Sequence, residues 1–155
     1  MLKLPSFYRE FASRPAVAGS VVAAFLASFI PNGSKYGHPG VDAATDALAR
    51  TVLDHAPVES TIGYLSRLAY GVFVPGATLV EGRQLADVIR RSVDGLNVEV
   101  GSGEVARISA AVGVVGFAVS SDHWRILEEL AAEVARDLSV RFPSDWQYPI
   151  LIYPA

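Results

Sequence analysis

The sequence predicts an α+β fold with a βαββαβ core of the ferredoxin-like or palm type, an antiparallel-rich sheet and helices packed mainly on one face. Three observations point to it. Apolar, β-rich runs alternate with amphipathic stretches in the order strand, helix, strand, strand, helix, strand, helix, strand. Two of those runs, Thr61–Leu65 and Ala69–Val74, fold back on each other at Ser66-Arg67, the pattern of a hairpin. No internal repeat or low-complexity linker divides the 155 residues, which suit a single domain with one core; residues 1–15 are a leading segment or short helix.

The first strand is the least ordinary. Ala16–Ile30 is an uncharged run of 15 residues behind Lys3, Arg9 and Arg14, and so imitates the apolar stretch of a secretory signal. It is short for a membrane span. A strand buried on both faces gives the same continuous run, bounded here by Pro31-Asn32-Gly33, and that is the reading preferred; a membrane anchor at 16–30 is the alternative. A helix follows from about Gly40 to His55, with Val41, Ala44, Leu48, Val52 and Leu53 expected inward and Asp42, Asp46, Arg50 and Asp54 outward.

The hairpin comes next, stopped by Pro75-Gly76, and then a second amphipathic helix over about 79–96. Its inward set is Leu85, Val88, Ile89 and Val93, and its outer face holds Glu81, Arg83, Asp87, Arg90 and Arg91. Asn97–Val100 and the turn Gly101-Ser102-Gly103 suggest a small hairpin leading into a long central strand, 105–119, in which Gly113 and Gly116 mark a bulge or a close backbone approach. A third helix starts near Ser121-Asp122 and carries Ile126, Leu127, Leu130, Val134 and Leu138 inward. The chain closes on a strand, Tyr148–Tyr153.

Composition removes several functional classes. A formal net charge of −3 gives no basic footprint for nucleic acid. The absence of cysteine excludes disulfides, thiolate nucleophiles and zinc–thiolate sites, and three histidines leave little room for a histidine-based metal site. No nucleophile elbow, phosphate loop or paired-histidine motif is present. His38 and Asp42 are spaced like an acid–base pair, but no third group or nucleophile stands near them in sequence, so a surface or capping role is expected. His55 is expected to act as a charge partner at its helix end, and His123 to sit at the start of the third helix. Cytoplasm is the default compartment.

Several segments, in order and at suitable spacing over roughly residues 20–140, carry a family resemblance. Tyr36-Gly37-His38-Pro39-Gly40-Val41-Asp42 resembles the Tyr-Gly-His-x-x-Gly-Asp turn of GGDEF domains, the diguanylate cyclase fold of bacterial signalling. Val74-Pro75-Gly76, the helix segment Leu85–Arg90 and the strand Ile108–Val114 are similar to further segments of that family, and Phe29 lies where its first strand ends in phenylalanine. The resemblance implies a GGDEF-like fold.

It also implies where catalysis would sit, and there the sequence departs. The five signature positions, Gly-Gly-Asp/Glu-Glu-Phe, align with Ser66-Arg67-Leu68-Ala69-Tyr70. The family's two first-strand aspartates align with Phe25 and Ala27, and its guanine-reading asparagine with Gly33. Asp42 keeps the position of the second guanine contact. The Arg-x-x-Asp of the family's inhibitory site, expected near 58–61, is absent, as is its late Ala-Leu-Tyr-x-Ala-Lys segment. Two divalent ions need oxygen ligands that Leu68, Ala69, Phe25 and Ala27 do not offer.

The expectation is therefore a non-enzymatic module without catalytic residues, bound metal or cofactor. Its expected interaction surface is Ser66, Arg67, Leu68, Ala69 and Tyr70, with Tyr64 and Phe73 beside it, docking another protein or a second copy of itself as a homodimer. Two alternatives stand beside it. One is a non-catalytic sensor of GTP or cyclic di-GMP using Asp42, Gly37 and Gly40; the other is a membrane-tethered assembly protein anchored by residues 16–30.

Overall fold

The uncharged run near the N-terminus becomes the centre of a sheet. In the computed structural model, which describes residues 18–30, 40–101, 104–118 and 123–142, it forms β1, Gly19–Ile30. Strand β3 (Ala69–Pro75) pairs antiparallel with it on one side and β5 (Glu104–Phe117) on the other. Val21 to Ala27 are all buried, as a strand covered on both faces requires. From Gly19 to Phe25 both of its backbone edges are occupied by sheet pairing, so the described part of the run takes the buried-strand arrangement. Among the described residues no helix is long and apolar enough to cross a membrane.

The remaining strands are β2 (Thr61–Ser66), hairpinned to β3, and β4 (Leu96–Gly101), paired to the start of β5. The described sheet has five strands in the order β2-β3-β1-β5-β4, all antiparallel. Three helices complete the order: α1 (Val41–His55), α2 (Leu79–Val93) and α3 (His123–Arg141). The α+β, GGDEF-like palm architecture expected from the sequence is the one observed. A register shift interrupts the β1–β5 ladder between Leu26 and Ser28, so the irregularity falls on β1 and not at the glycines of β5.

Two glycines assign the helices to faces. A methyl group on Gly82 of α2 would meet Ser20 and Val114 at 2.8 Å, whereas one on Gly113 would meet the backbone nitrogen of Val134 in α3 at 2.9 Å. Val114 and Gly113 point to opposite faces because strand side chains alternate. Helix α2 therefore lies on one face, joined there by α1 through a contact between His55 Nε2 and Ser92 Oγ at 3.0 Å, and α3 lies on the other. The close approach expected from Gly113 is thus real, and its cause is a helix laid against the strand.

Local chemistry sets the boundaries. Thr78 caps α2 in a reciprocal capping box with Glu81, whose carboxyl is held below the usual carboxylate range by hydrogen bonds from the Thr78 backbone and hydroxyl. Gly76 takes a positive φ of 75° that ends the hairpin, and its N–H donates to the Ala18 carbonyl. Helix α2 ends at Val93, earlier than the expected 96, because Gly95, at φ 73°, reverses the chain and Leu96 already pairs with Ile108. The inward set of α2 is Gly82, Ala86, Ile89 and Val93; Leu85 and Val88 are half-buried.

In α1 the expected core residues Val41, Ala44, Leu48 and Val52 are buried, but Leu53 is 46% exposed. It follows Val52 by one step, about 100° around the helix, which turns it off the packed stripe. The five expected core residues of α3 are all buried. The turn 31–33, the cap at 121–122, Val119 and the closing strand 148–153 lie outside the described residues.

Candidate functional site

The tip joining β2 and β3 is held down on β1. The Leu26 N–H donates to the Leu68 carbonyl at 2.9 Å, and Ala69 pairs with Phe25. Leu68 is 8% exposed, Ala69 2% and Tyr70 1%. These three residues were expected on an interaction surface, and they belong instead to the core: Ala69 and Tyr70 open β3 and face opposite sides of the sheet, Tyr70 toward Thr45 of α1, and burial of all three is the favourable outcome. Phe73 is buried too. Of the expected surface, Ser66 is half-buried and only Arg67 is freely exposed, with Tyr64 beside it at 38%.

Tyr70 and its cross-strand partner Tyr64 stack at a tilt of 47°, ring centroids 5.0 Å apart. The Tyr70 hydroxyl interacts with the side chains of Thr45 and Tyr64. Burial pushes this phenol up to about 12, with Tyr64 and Asp46 adding to the rise and the bond to Thr45 opposing it. Thr45 is itself buried, and its hydroxyl donates to the Asp42 carbonyl at 3.0 Å, so tip and helix start are tied through one polar contact inside an apolar wall.

Asp42 lies in the first turn of α1, where a carboxylate is favoured by the helix dipole. Its side chain is 86% exposed and meets the Arg67 guanidinium at 4.0 Å. Arg67 thus reaches from the hairpin tip to the start of α1, across the mouth between them. Exposed as it is, the pair contributes at most about 1 kcal/mol. Gly40, the N-cap of α1, is buried and its carbonyl accepts from the Ala44 N–H; Gly37, His38 and Gly33 lie outside the described residues.

The chemistry available here is limited. Phe25 and Ala27 on β1, and Leu68 and Ala69 on the tip, carry no side-chain oxygen, so these positions do not fit a pair of divalent ions. Among the described residues no cluster of three or more His, Asp or Glu is placed to hold a metal. Sequence reasoning did not single out Thr45 or the contact between Arg67 and Asp42. The opposite charges of Arg67 and Asp42, on segments the family resemblance places side by side, were the available signal.

No protein-family profile and no curated protein matches the sequence. Solved structures do. The chain superposes on the GGDEF domain of FimX from Pseudomonas aeruginosa with a TM-score of 0.70 at 13% identity, over 86% of this chain and 83% of that one. It superposes on the GGDEF domain of DgcB from Caulobacter crescentus, solved with c-di-GMP, with a TM-score of 0.70 at 12% identity, over 90% and 83%. It also superposes on the diguanylate cyclase SiaD of P. aeruginosa, solved with its activator SiaC, with a TM-score of 0.68 at 17% identity, over 89% of this chain and 52% of that one. The fold is that of GGDEF domains.

Proposed function

We propose that this chain is a catalytically silent GGDEF-fold module of cyclic di-GMP signalling, in a cytoplasmic setting, which acts by docking a protein partner. The observation that carries this reading is the tip: Leu68 is bonded through its carbonyl to β1, and Leu68 and Ala69 are buried where the family resemblance would put carboxylates. A site that must seat a triphosphate needs room, backbone donors and ligands for hard cations. Leu68 and Ala69 offer no such ligand, and the one basic side chain of the tip, Arg67, lies 4.0 Å from Asp42. The test is direct incubation with GTP and either magnesium or manganese. No cyclic di-GMP is expected, and its formation would overturn the reading.

The docking surface narrows to what is exposed beside the tip, namely Arg67 and Tyr64. Arginine and tyrosine are, with tryptophan, the residue types enriched at binding hot spots. SiaD, solved in complex with its activator SiaC, supplies an example of this fold engaging a separate protein. Pull-down with Arg67→Ala and Tyr64→Ala variants, alongside light scattering for self-association as a homodimer, checks this part. Retention of partner and mass by both variants would remove the tip from the interface.

One observation favours a second reading, a non-catalytic sensor of GTP or cyclic di-GMP: Asp42 remains exposed at the position of a guanine contact. Calorimetric titration with each nucleotide, with and without magnesium, separates the two, since heat abolished by Asp42→Ala would favour the sensor.

A further inference from the structure

Strand β2 is the outermost strand on its side of the described sheet. The Gly76 N–H donates to the Ala18 carbonyl and the Leu26 N–H to the Leu68 carbonyl, so the even-numbered residues of β1 and β3 exchange backbone bonds. Antiparallel ladders alternate, and the odd-numbered residues of β3 therefore turn toward β2, Gly71 to Gly63 and Phe73 to Thr61. The backbone N–H and C=O groups of Ile62 and Tyr64 point the other way, out of the sheet. Among the described residues nothing bonds to them.

This edge lacks the usual guards. An outer strand is commonly protected by a charged side chain, a proline or a bulge that twists it away. Thr61–Ser66 has no charge and no proline, and its one irregularity comes after Tyr64, beyond the outward groups. Tyr64 is exposed and Ile62 half-buried, both on the face that carries α1, since Tyr64 packs on Tyr70 and Tyr70 reaches Thr45. The described helices pack on β1, β3, β4 and β5, and not to any extent on β2.

We propose that β2 pairs with β2 of a second copy of this chain, antiparallel and about a two-fold axis through Gly63. This deepens the docking reading, on which it rests, by naming the partner of a surface whose exposed Tyr64 and Arg67 it shares. In this register Ile62 of each copy stands opposite Tyr64 of the other, and such a pair exchanges both of its N–H···O bonds. An aromatic ring then lies against a β-branched side chain at each of the two positions, a pairing that stabilises sheets. A two-fold contact of this kind closes on itself and goes no further than a dimer.

Charge selects a second copy over an unrelated strand. Glu59 lies four residues before Gly63 and Arg67 four residues after it, so the axis that sets Ile62 against Tyr64 also brings each Glu59 beside Arg67 of the second copy. Both side chains are exposed in the single chain. Arg67 meets Asp42 only at 4.0 Å and in the open, so turning it toward Glu59 costs little. One short strand pair buries far less than the roughly 1,600 Å² of a standard interface, and the dimer is accordingly weak, with a dissociation constant on the order of 100 μM.

Sedimentation velocity of the full chain from about 10 μM to about 1 mM tests the pairing, with amide exchange as a second readout. A concentration-dependent dimer is expected, in which the Ile62 and Tyr64 amides gain protection while that of Gly63, already bonded to β3, does not change. Glu59→Arg and Arg67→Glu are each expected to weaken the dimer by about tenfold, and an equimolar mixture of the two variants to restore it, because both ion pairs re-form between unlike copies. Ile62→Pro removes an outward N–H without touching the ladder to β3, and is expected to leave a folded monomer. A chain that stays monomeric to about 1 mM would overturn the proposal, as would a dimer indifferent to the charge reversals and to their mixing. In either case a separate protein partner lost in Arg67→Ala would leave the docking reading standing, so the two fail separately.

Discussion

A hydroxyl sealed between a strand and a helix titrates late, and Tyr70 is such a group, its phenol pushed up to about 12 mainly by burial. The raised value favours the protonated form in the folded state. Between about pH 10, where the unfolded chain begins to release this proton, and 12, the unfolded state binds fewer protons, so stability falls as pH rises, by at most about 1.4 kcal/mol per pH unit. Below pH 10 both states are protonated and the dependence vanishes. A Tyr70→Phe variant is expected to lose this alkaline slope in urea-unfolding curves measured from pH 9 to 12, together with the latest phase of phenolate absorbance. A slope unchanged by the substitution would assign the alkaline sensitivity to another group. At this scale the sequence told chemical type but not exposure. Leu68, Ala69 and the ring of Tyr70 suit a partner or a core equally, and only their burial in the folded chain decides. Arg67 and Asp42 are 25 residues apart in the chain, a contact no local pattern reveals.

The contact between α3 and β5 depends on a missing side chain. A β-carbon on Gly113 would stand 2.9 Å from the Val134 backbone nitrogen and from its Cγ2, distances a helix backbone cannot relax without moving. Gly113→Ala is expected to cost about 1–3 kcal/mol in urea unfolding, whereas Gly76→Ala meets no atom within 4 Å and is expected to cost only about 1 kcal/mol, through backbone strain at its positive φ. Equal losses at the two positions would remove the helix contact as the cause. Elements of this kind were the most legible part of the sequence. Continuous apolar runs marked β1 and the hairpin, and the helical period marked the three helices, because each buries a continuous strip. Less legible was where they lie: α3 has the same amphipathic pattern as α1 and α2, and only Gly113 hinted that it packs closely on the strand. The end of α2 was misjudged by three residues because Leu96 suits a helix as well as the strand it joins.

Across the whole molecule, two helices on opposite faces are joined around the edge of the sheet. Arg141 bonds Asp137 at 2.7 Å and lies 3.6 Å from Asp94, just past the end of α2, which in turn lies 3.6 Å from Arg90. Asp137 also holds the Val112 N–H, so one carboxylate serves both the strand and the clamp. Asp137→Ala is expected to lower stability by about 2 kcal/mol, since it leaves a strand N–H and a partly buried guanidinium without their acceptor. A loss below about 0.5 kcal/mol in the same unfolding measurement would make the clamp an ordinary surface pair.

The central position of β1 has one further consequence, for the time course of folding. Ser20 pairs with Val74 on one side and with Gly116 on the other, partners more than fifty and more than ninety residues later in the chain. Strand β1 therefore has no lasting neighbour until the later strands β3 and β5 have been made. Long loops must close before its pairing yields any gain, which places the domain among slow folders of high contact order. Until β5 arrives, an uncharged twelve-residue segment with two open edges is the stretch most in need of a chaperone.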